Sequence, residues 1–255
     1  SALTNWSHDD LLPAWQAFLH SCTVLEKQPL WQETCAIATS IQQTDNTILR
    51  QFFETYLAPY QVIDEQGHDE GLITGYYEPL LQGSRTPSEH FRYPLYTVPE
   101  ELLTIDLGDI YPELKDLRLR GRMDGQKIVP YYSRADIMNN PEKLAGNELV
   151  WVDDEVELFF LQIQGSGRIM LDDGEILKIG YAEQNGYPYK SIGKILVQQG
   201  ELPLEKASMQ GIKQWGQQNP DKLNALLQQN PRYVFFRELP ADLSGPIGAM
   251  GIPLT

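Results

Sequence analysis

No stretch of the 255 residues approaches the ~20 consecutive apolar residues that a membrane-crossing helix needs, and no secretion leader opens the sequence. The chain starts at Ser1 rather than at methionine and reads as a mature or trimmed form. Positive charge is scarce: 20 Lys and Arg stand against 35 Asp and Glu, for a net charge of −15. Nucleic-acid binders draw much of their affinity from a basic face. No unbroken run of Lys and Arg supplies one here, so nucleic acid and anionic membrane surfaces are excluded as expected partners, while a neutral or mixed-charge polymer is allowed. The 4 histidines, His8, His20, His68 and His90, are scattered and form no HExxH pair, and no CxxC occurs, so neither a metal nor another cofactor is expected. There is no GxSxG elbow and no GxxxxGK[ST] phosphate loop, which removes the usual anchors of serine hydrolases and nucleotide binders. Only 2 cysteines are present. Cys22 and Cys35 pair if the compartment is oxidising, and are otherwise two buried thiols on adjacent helices. They are expected to be close in space; Cα atoms more than ~7 Å apart would rule a bridge out.

Apolar residues make up 42% of the chain and aromatics recur along its whole length, which excludes a disordered polymer. Leu11, Leu12, Trp15, Phe18, Leu19 and Cys22 fall at helical spacing, behind Asp9 and Asp10 as capping candidates. A second helix is expected over residues 30–41. A third starts at Thr44 or Asp45, carries Ile48, Phe52 and Tyr56 on one stripe, and ends at Pro59. From Gly71 strand-like runs take over, at 72–77, 93–98, 126–129 and 149–152. Residues 154–163 fit a buried strand or a short helix, since periodicity alone does not decide, and the reading taken is a helix ended by Gly165. Asp172-Asp173-Gly174 marks a hairpin between 168–171 and 175–181. Helices return at 191–199, ended by Gly200, at 205–218, and at 221–229 behind Pro220; 233–237 reads as a strand. The tail 239–255 is rich in Gly and Pro and has no element of its own. Helices, a β-rich middle and helices again imply a β domain inserted into a helix-bearing one.

Three segments combine polar groups, aromatics and glycine: Thr74-Gly75-Tyr76-Tyr77-Glu78-Pro79, Gln162-Ile163-Gln164-Gly165-Ser166-Gly167-Arg168, and Tyr181-Ala182-Glu183-Gln184-Asn185-Gly186-Tyr187-Pro188-Tyr189. A sugar polymer calls for this mixture. Its hydroxyls want amides and hydroxyls as both donors and acceptors, its C–H faces pack on aromatic rings, and glycine lets backbone approach a bulky ligand. Each segment alone has a plainer reading: packing for the Tyr pair, a simple turn for Gly-Ser-Gly, a solvated carboxylate for Glu78, and a stem covering apolar surface for Arg168. Their coincidence in one chain is what points to a site.

These segments resemble the membrane-bound lytic murein transglycosylase A family. The resemblance runs through Ile73-Thr74-Gly75-Tyr76-Tyr77-Glu78-Pro79, Phe159-Phe160-Leu161-Gln162-Ile163-Gln164-Gly165-Ser166-Gly167-Arg168, Tyr189-Lys190-Ser191-Ile192-Gly193-Lys194, Ser208-Met209-Gln210-Gly211-Ile212-Lys213-Gln214-Trp215 and Asn230-Pro231-Arg232-Tyr233-Val234-Phe235-Phe236, and covers roughly residues 71–255. It implies a mixed, mainly β fold with helices: a double-psi β-barrel domain built from 1–78 and 201–255, lacking its C-terminal part, interrupted by a smaller β-barrel domain over 79–200. It implies a periplasmic enzyme, anchored to the outer membrane by an N-terminal lipid absent from this chain, that cuts the MurNAc–GlcNAc β-1,4 bond of peptidoglycan and leaves 1,6-anhydromuramic acid ends. Its partners are then peptidoglycan glycan strands, with other cell-wall enzymes allowed.

Thr74, Gln164 and Ser166 match family positions that line the glycan groove, and Tyr76, Arg168 and Asn185 are added by adjacency and chemistry. In the family the single catalytic carboxylate is an aspartate in a segment that would lie beyond Thr255, so no catalytic residue is assigned within the sequence. Such an acid protonates the leaving oxygen and then takes the proton of the attacking C6 hydroxyl, whereas ordinary glycosidases use two carboxylates. The alternatives are a non-catalytic glycan-binding fragment and a hydrolase that uses Glu78 or another acid with water.

Overall fold

The structure is a computed structural model that describes residues 3–71, 78–115 and 117–241. The expected strand at 72–77 lies outside the described residues. The chain divides into two compact units, one holding the N-terminal helices and the other, among the described residues, running from Glu78 to Ala241.

In the first unit, α1 (Leu12–Leu25), α2 (Gln32–Ser40) and α3 (Asn46–Tyr56) follow one another. Leu11, Trp15, Ala38, Leu49 and Phe52 form one buried cluster, with Trp15 edge-on to Phe52 at 4.9 Å. Of the stripe expected on α3 only Phe52 belongs to it: Leu49 takes the place of Ile48, and Tyr56 stays 41% exposed at the helix end. Asp45 begins α3 because its carboxylate accepts from the Thr47 and Ile48 amides, two of the donors a helix start leaves unpaired. Asp10 accepts from the Leu12 amide at the start of α1. Cys22 of α1 and Cys35 of α2 form a disulfide, with Cα atoms 5.3 Å apart, well inside the limit set from the sequence.

The second unit is built on β1 (Leu80–Ser84), β2 (Tyr93–Tyr96), β3 (Leu103–Ile105), β4 (Leu119–Asp124), β5 (Lys127–Pro130), α4 (Arg134–Asn139), β6 (Glu148–Val152), α5 (Glu155–Gln164), β7 (Ser166–Leu171), β8 (Ile176–Gln184), α6 (Ile192–Gln198), α7 (Met209–Gln218), α8 (Pro220–Leu227) and β9 (Val234–Glu238). A six-stranded sheet runs β2-β6-β1-β7-β8-β9, and β3-β4-β5 form a second, three-stranded sheet. β1 and β7 are parallel and the other neighbours antiparallel. Leu81, Leu95, Val150, Val152, Ile169, Leu171 and Ile179 fill the sheet's buried face.

Helix α5 is apolar on two sides because it has two cores to serve. Leu158 and Leu161 pack on the sheet, while Val156 and Phe159 join Ile192, Leu196, Ile212, Trp215 and Leu226 of α6, α7 and α8. That double burial is why residues 154–163 lack a single clear period. The helix expected over 205–218 starts at Met209, because Ser208 caps it by accepting the Gly211 amide and 204–206 form a 3₁₀ turn.

A pair of barrels is expected from the resemblance, but the described residues form a mixed helix-and-sheet fold with open sheets, and among them no closed barrel occurs. The large sheet curls far enough for Tyr96 of β2 and Tyr233, just before β9, to bring their rings within 6.3 Å. Among the described residues no ladder joins the two edges. Pro94 in β2 has no N–H to offer one, and the β2–β6 register already slips between Leu95 and Tyr96. The sheet also continues past residue 200, since β9 pairs along β8 from Val234 to Glu238. β1 enters and β9 leaves at the same rim: Leu80 lies opposite Arg168, Arg168 opposite Lys178, and the Leu239 amide donates to the Lys178 carbonyl at 2.8 Å.

Candidate functional site

The α5–β7 junction carries three of the expected site residues. α5 ends because Gly165 takes the left-handed conformation, φ +83°, while its amide still bonds the Leu161 carbonyl at 2.8 Å. Gln164 is left exposed on the last helical position and Ser166 opens β7, half-buried. Gly167 is demanded by space: a Cβ there would sit 2.5 Å from Leu161 Cδ1 and 2.9 Å from the Pro79 carbonyl. Ser166 and Arg168 then share the opposite, accessible face of β7, two residues apart.

Arg168 Nε donates to Glu78 Oε2 at 2.6 Å, and the Glu78 side chain is only 18% exposed. Sequence reasoning places Glu78 in solvent. The structure corrects this, because the ion pair and the buried Pro79 beside it hold the carboxylate down on β7. Glu78 is an acceptor here, and Arg168 uses one of its five donors on it.

On the neighbouring strand β8, Tyr181 and Glu183 build a polar cluster within the third segment marked in the sequence, where only Asn185 was taken as a site residue. Glu183 accepts from Arg120 of β4 at 2.7 Å, from the Tyr181 hydroxyl at 3.0 Å and from the Gln184 amide. Burial pushes the Glu183 carboxyl up, but these donors outweigh it and leave it below the usual carboxylate range. Burial and the Glu183 charge both hold the Tyr181 phenol up, so it remains a hydroxyl donor at neutral pH.

Asn185 does not belong with these groups. It is 1% exposed, and its amide nitrogen is spent on the carbonyls of Tyr132 and Pro231, both at 2.9 Å. Its oxygen accepts the Tyr233 amide. The expectation that it binds substrate is therefore corrected: the amide pins the 231–233 segment and leaves no donor for a sugar. Thr74 and Tyr76 lie outside the described residues.

The same segment is gripped from the other side by Arg134, the first residue of α4, which is 4% exposed. Its guanidinium donates to the carbonyls of Asn230 and Arg232 and to the Gln162 side chain, and stacks over the rings of Phe159 at 4.6 Å and Tyr233 at 5.0 Å. Beside it opens a cavity of about 270 Å³ lined in part by Arg92, Tyr93, Arg134, Glu155, Phe159 and Gln162. A signal for it exists in the sequence: Glu155, Leu158, Phe159 and Gln162 recur at i, i+3, i+4 and i+7, so one face of α5 carries an acid and an amide in an apolar stripe. Among the described residues no group of three or more His, Cys, Asp and Glu gathers as a metal site would, and no helix is long and apolar enough to cross a membrane.

Compared with known proteins, residues 72–237 match the family described as the MltA specific insert domain. The Escherichia coli K12 protein named membrane-bound lytic murein transglycosylase A is 31% identical over 213 residues, which are 82% of this chain and 49% of that protein. The chain thus spans about half the length of the curated relatives it matches. Among solved structures, MltA from Neisseria gonorrhoeae superposes with a TM-score of 0.82 at 36% identity, over 99% of this chain and 70% of the other. Escherichia coli MltA with bound chitohexaose superposes with a TM-score of 0.61 at 25% identity, over 100% of this chain and 67% of the other.

Proposed function

This chain belongs to the MltA family, and on that premise we propose that it is the greater part of a peptidoglycan lytic transglycosylase, cutting the β-1,4 bond between MurNAc and GlcNAc with formation of 1,6-anhydromuramic acid ends. The observation that carries the reading is the match over 72–237, which contains exposed Gln164 and Arg168 with half-buried Ser166 between them. A relative whose crystal structure holds chitohexaose supports a glycan as the ligand of these residues. In this reading Thr74 and Tyr76 complete the groove, 1–78 and 201–255 contribute to a double-psi β-barrel, and 79–200 form the inserted, barrel-like domain. The protein works at the cell wall, in the periplasm, held to the outer membrane by an N-terminal lipid.

The residues at hand hold sugar rather than break its bond. Gln164 offers both a donor and an acceptor, Ser166 a hydroxyl, and Arg168 the guanidinium donors that Glu78 does not use. A glycosidic bond at neutral pH needs a proton donor at the leaving oxygen. Glu78 is engaged by Arg168 and does not fill that role. The acid is the family's aspartate, in a segment beyond Thr255, and oriented dipoles stabilise the oxocarbenium-like charge. Incubation with purified sacculi, followed by mass analysis of the soluble muropeptides, tests this. Anhydro-muropeptides are expected from a form that continues past Thr255 and none from residues 1–255 alone. Reducing ends would mean a hydrolase, and anhydro ends from residues 1–255 would overturn the placement of the acid.

Gln164→Ala is expected to weaken chito-oligosaccharide binding by about 0.5–1.5 kcal/mol, the worth of one hydrogen bond, with an unchanged circular dichroism spectrum. Binding equal to the parent's would reduce Gln164 to a helix-end residue.

A further inference from the structure

The cavity beside Arg134 is not used by the glycan reading, and its chemistry is unusual. Arg134 is a nearly fully buried cation, yet among the described residues no carboxylate lies within ion-pair distance of it. Its hydrogen-bond partners are two carbonyls and one amide oxygen, all neutral, bonded to Nε and one terminal nitrogen. The second terminal nitrogen, Nη1, has no partner among the described residues, on a side chain that lines the cavity. Burial draws the Arg134 pKa down to about 10. A buried charge so placed is stabilised by an opposite charge that enters from outside.

The other walls narrow what can enter. Arg92 adds a second, exposed cation and Glu155 a carboxyl, so the charged lining carries an excess of one positive charge. Burial raises the Glu155 pKa, and the neighbouring Arg134 and Arg92 charges offset this only in part. Ile137, Met138 and Leu158 supply apolar surface. At about 270 Å³ the space falls below the ~300–1,000 Å³ of pockets for drug-sized molecules. A dianion such as phosphate would meet Glu155, whereas a monoanion that carries its own cation a few atoms away would satisfy both signs.

We propose that this cavity binds the carboxylate of an amino acid or of a short peptide's end, with the carboxylate on Arg134 and Arg92, any free amine of the ligand on Glu155, and a small side chain against Ile137, Met138 and Leu158. A free amino acid and a peptide end share this chemistry. The site stands on the cavity alone, so it can fail or hold whatever becomes of the glycan reading.

The test is an NMR titration of the whole chain in a buffer free of small carboxylates and phosphate, following the amides of 155–162 and the arginine Nε–H signals. The probes are alanine, N-acetylalanine, N-acetylalanylalanine and alaninamide. The carboxylates are expected to shift one common set of signals with a Kd on the order of 1 mM, and alaninamide to bind at least ~10-fold more weakly. Arg92→Gln should weaken all three carboxylates by roughly 3–10-fold, and Glu155→Gln should weaken alanine while leaving N-acetylalanine within about twofold. Tighter binding of the acetyl dipeptide than of alanine assigns the site to peptide ends, and the reverse order to free amino acids. Absence of saturable shifts with every probe, or alaninamide binding as well as the carboxylates, overturns the proposal.

Discussion

Replacing Arg134 with alanine is expected to cost the second unit roughly 3–5 kcal/mol, one of the two largest single losses in the chain. Two effects oppose each other. The buried guanidinium is itself uncomfortable: burial draws its pKa down to about 10 against the partial offset of nearby Glu155, a net penalty on the charged form of roughly 3 kcal/mol. Alanine relieves that. Against it, the carbonyls of Asn230 and Arg232 and the Gln162 oxygen lose their donor inside the protein, at about 1–3 kcal/mol each. Two cation–π contacts, worth up to ~2 kcal/mol each when desolvated, disappear as well. The losses win. Urea unfolding followed by near-ultraviolet circular dichroism measures the difference, and Arg134→Lys should recover less than half, since an ammonium cannot fork between the two sides. A loss under about 1 kcal/mol would mean that 230–233 is held well enough by Asn185, the Asn230 side chain and the Arg134 backbone amide, without the guanidinium.

Breaking the Cys22–Cys35 bridge is the second. The two cysteines are 13 residues apart, and closing a loop of that size in the unfolded chain is worth about 3 kcal/mol. The helices it joins enclose a small core around Trp15, Leu49 and Phe52, and a core of that size supplies little more than the bridge does. Reduction, or the Cys22→Ser, Cys35→Ser double variant, should therefore strip hydrogen-exchange protection from α1–α3 while the strands of the large sheet keep theirs. Unchanged protection in α1–α3 would show that helix packing alone suffices.

The sequence made the helices with strong local signals legible. Asp45 capping α3, Gly165 ending α5, Ser191 opening α6 and Pro220 opening α8 are written in residue types that act through their own backbone neighbours. Asp172-Asp173-Gly174 marked the β7–β8 hairpin for the same reason. What escaped depends on partners far along the chain. β1 reads as nothing in particular, because Gly83 breaks its pattern. Yet a Cβ there would collide with Ile169 and the Trp151 carbonyl, and the strand exists through pairing with β6 and β7. α4 is too short to show a period. Its capping box, with Ser133 and Asp136 each bonding the other's amide, has the S-x-x-D spacing in the sequence, but no apolar period follows to mark it as a helix start.

The site divides in the same way. Gln164, Ser166 and Arg168 were readable as one polar, glycine-rich turn because they are neighbours in the chain, and Gly165 ending α5 sets where that turn falls. Asn185 had the same outward chemistry, but a buried amide and a ligand-facing amide look alike until its partners at 132, 231 and 233 are known. Arg134 is an isolated arginine in the sequence. Its role comes from Gln162, Asn230 and Arg232, which no local pattern links to it.

The rim at which the large sheet receives β1 and releases β9 has a consequence for how this unit can be carried from one chain to another. Leu80 and Leu239 stand at one level, separated by the strands at Arg168 and Lys178. Three strand spacings of ~4.8 Å put them no more than about 14 Å apart, and curling of the sheet shortens that. Entry and exit so close together let a host protein accept the unit at a single surface loop without stretching. They also permit circular permutation: a linker of about five residues from 239 back to 78, with new ends cut at the Asp173–Gly174 turn, leaves every strand pairing in place.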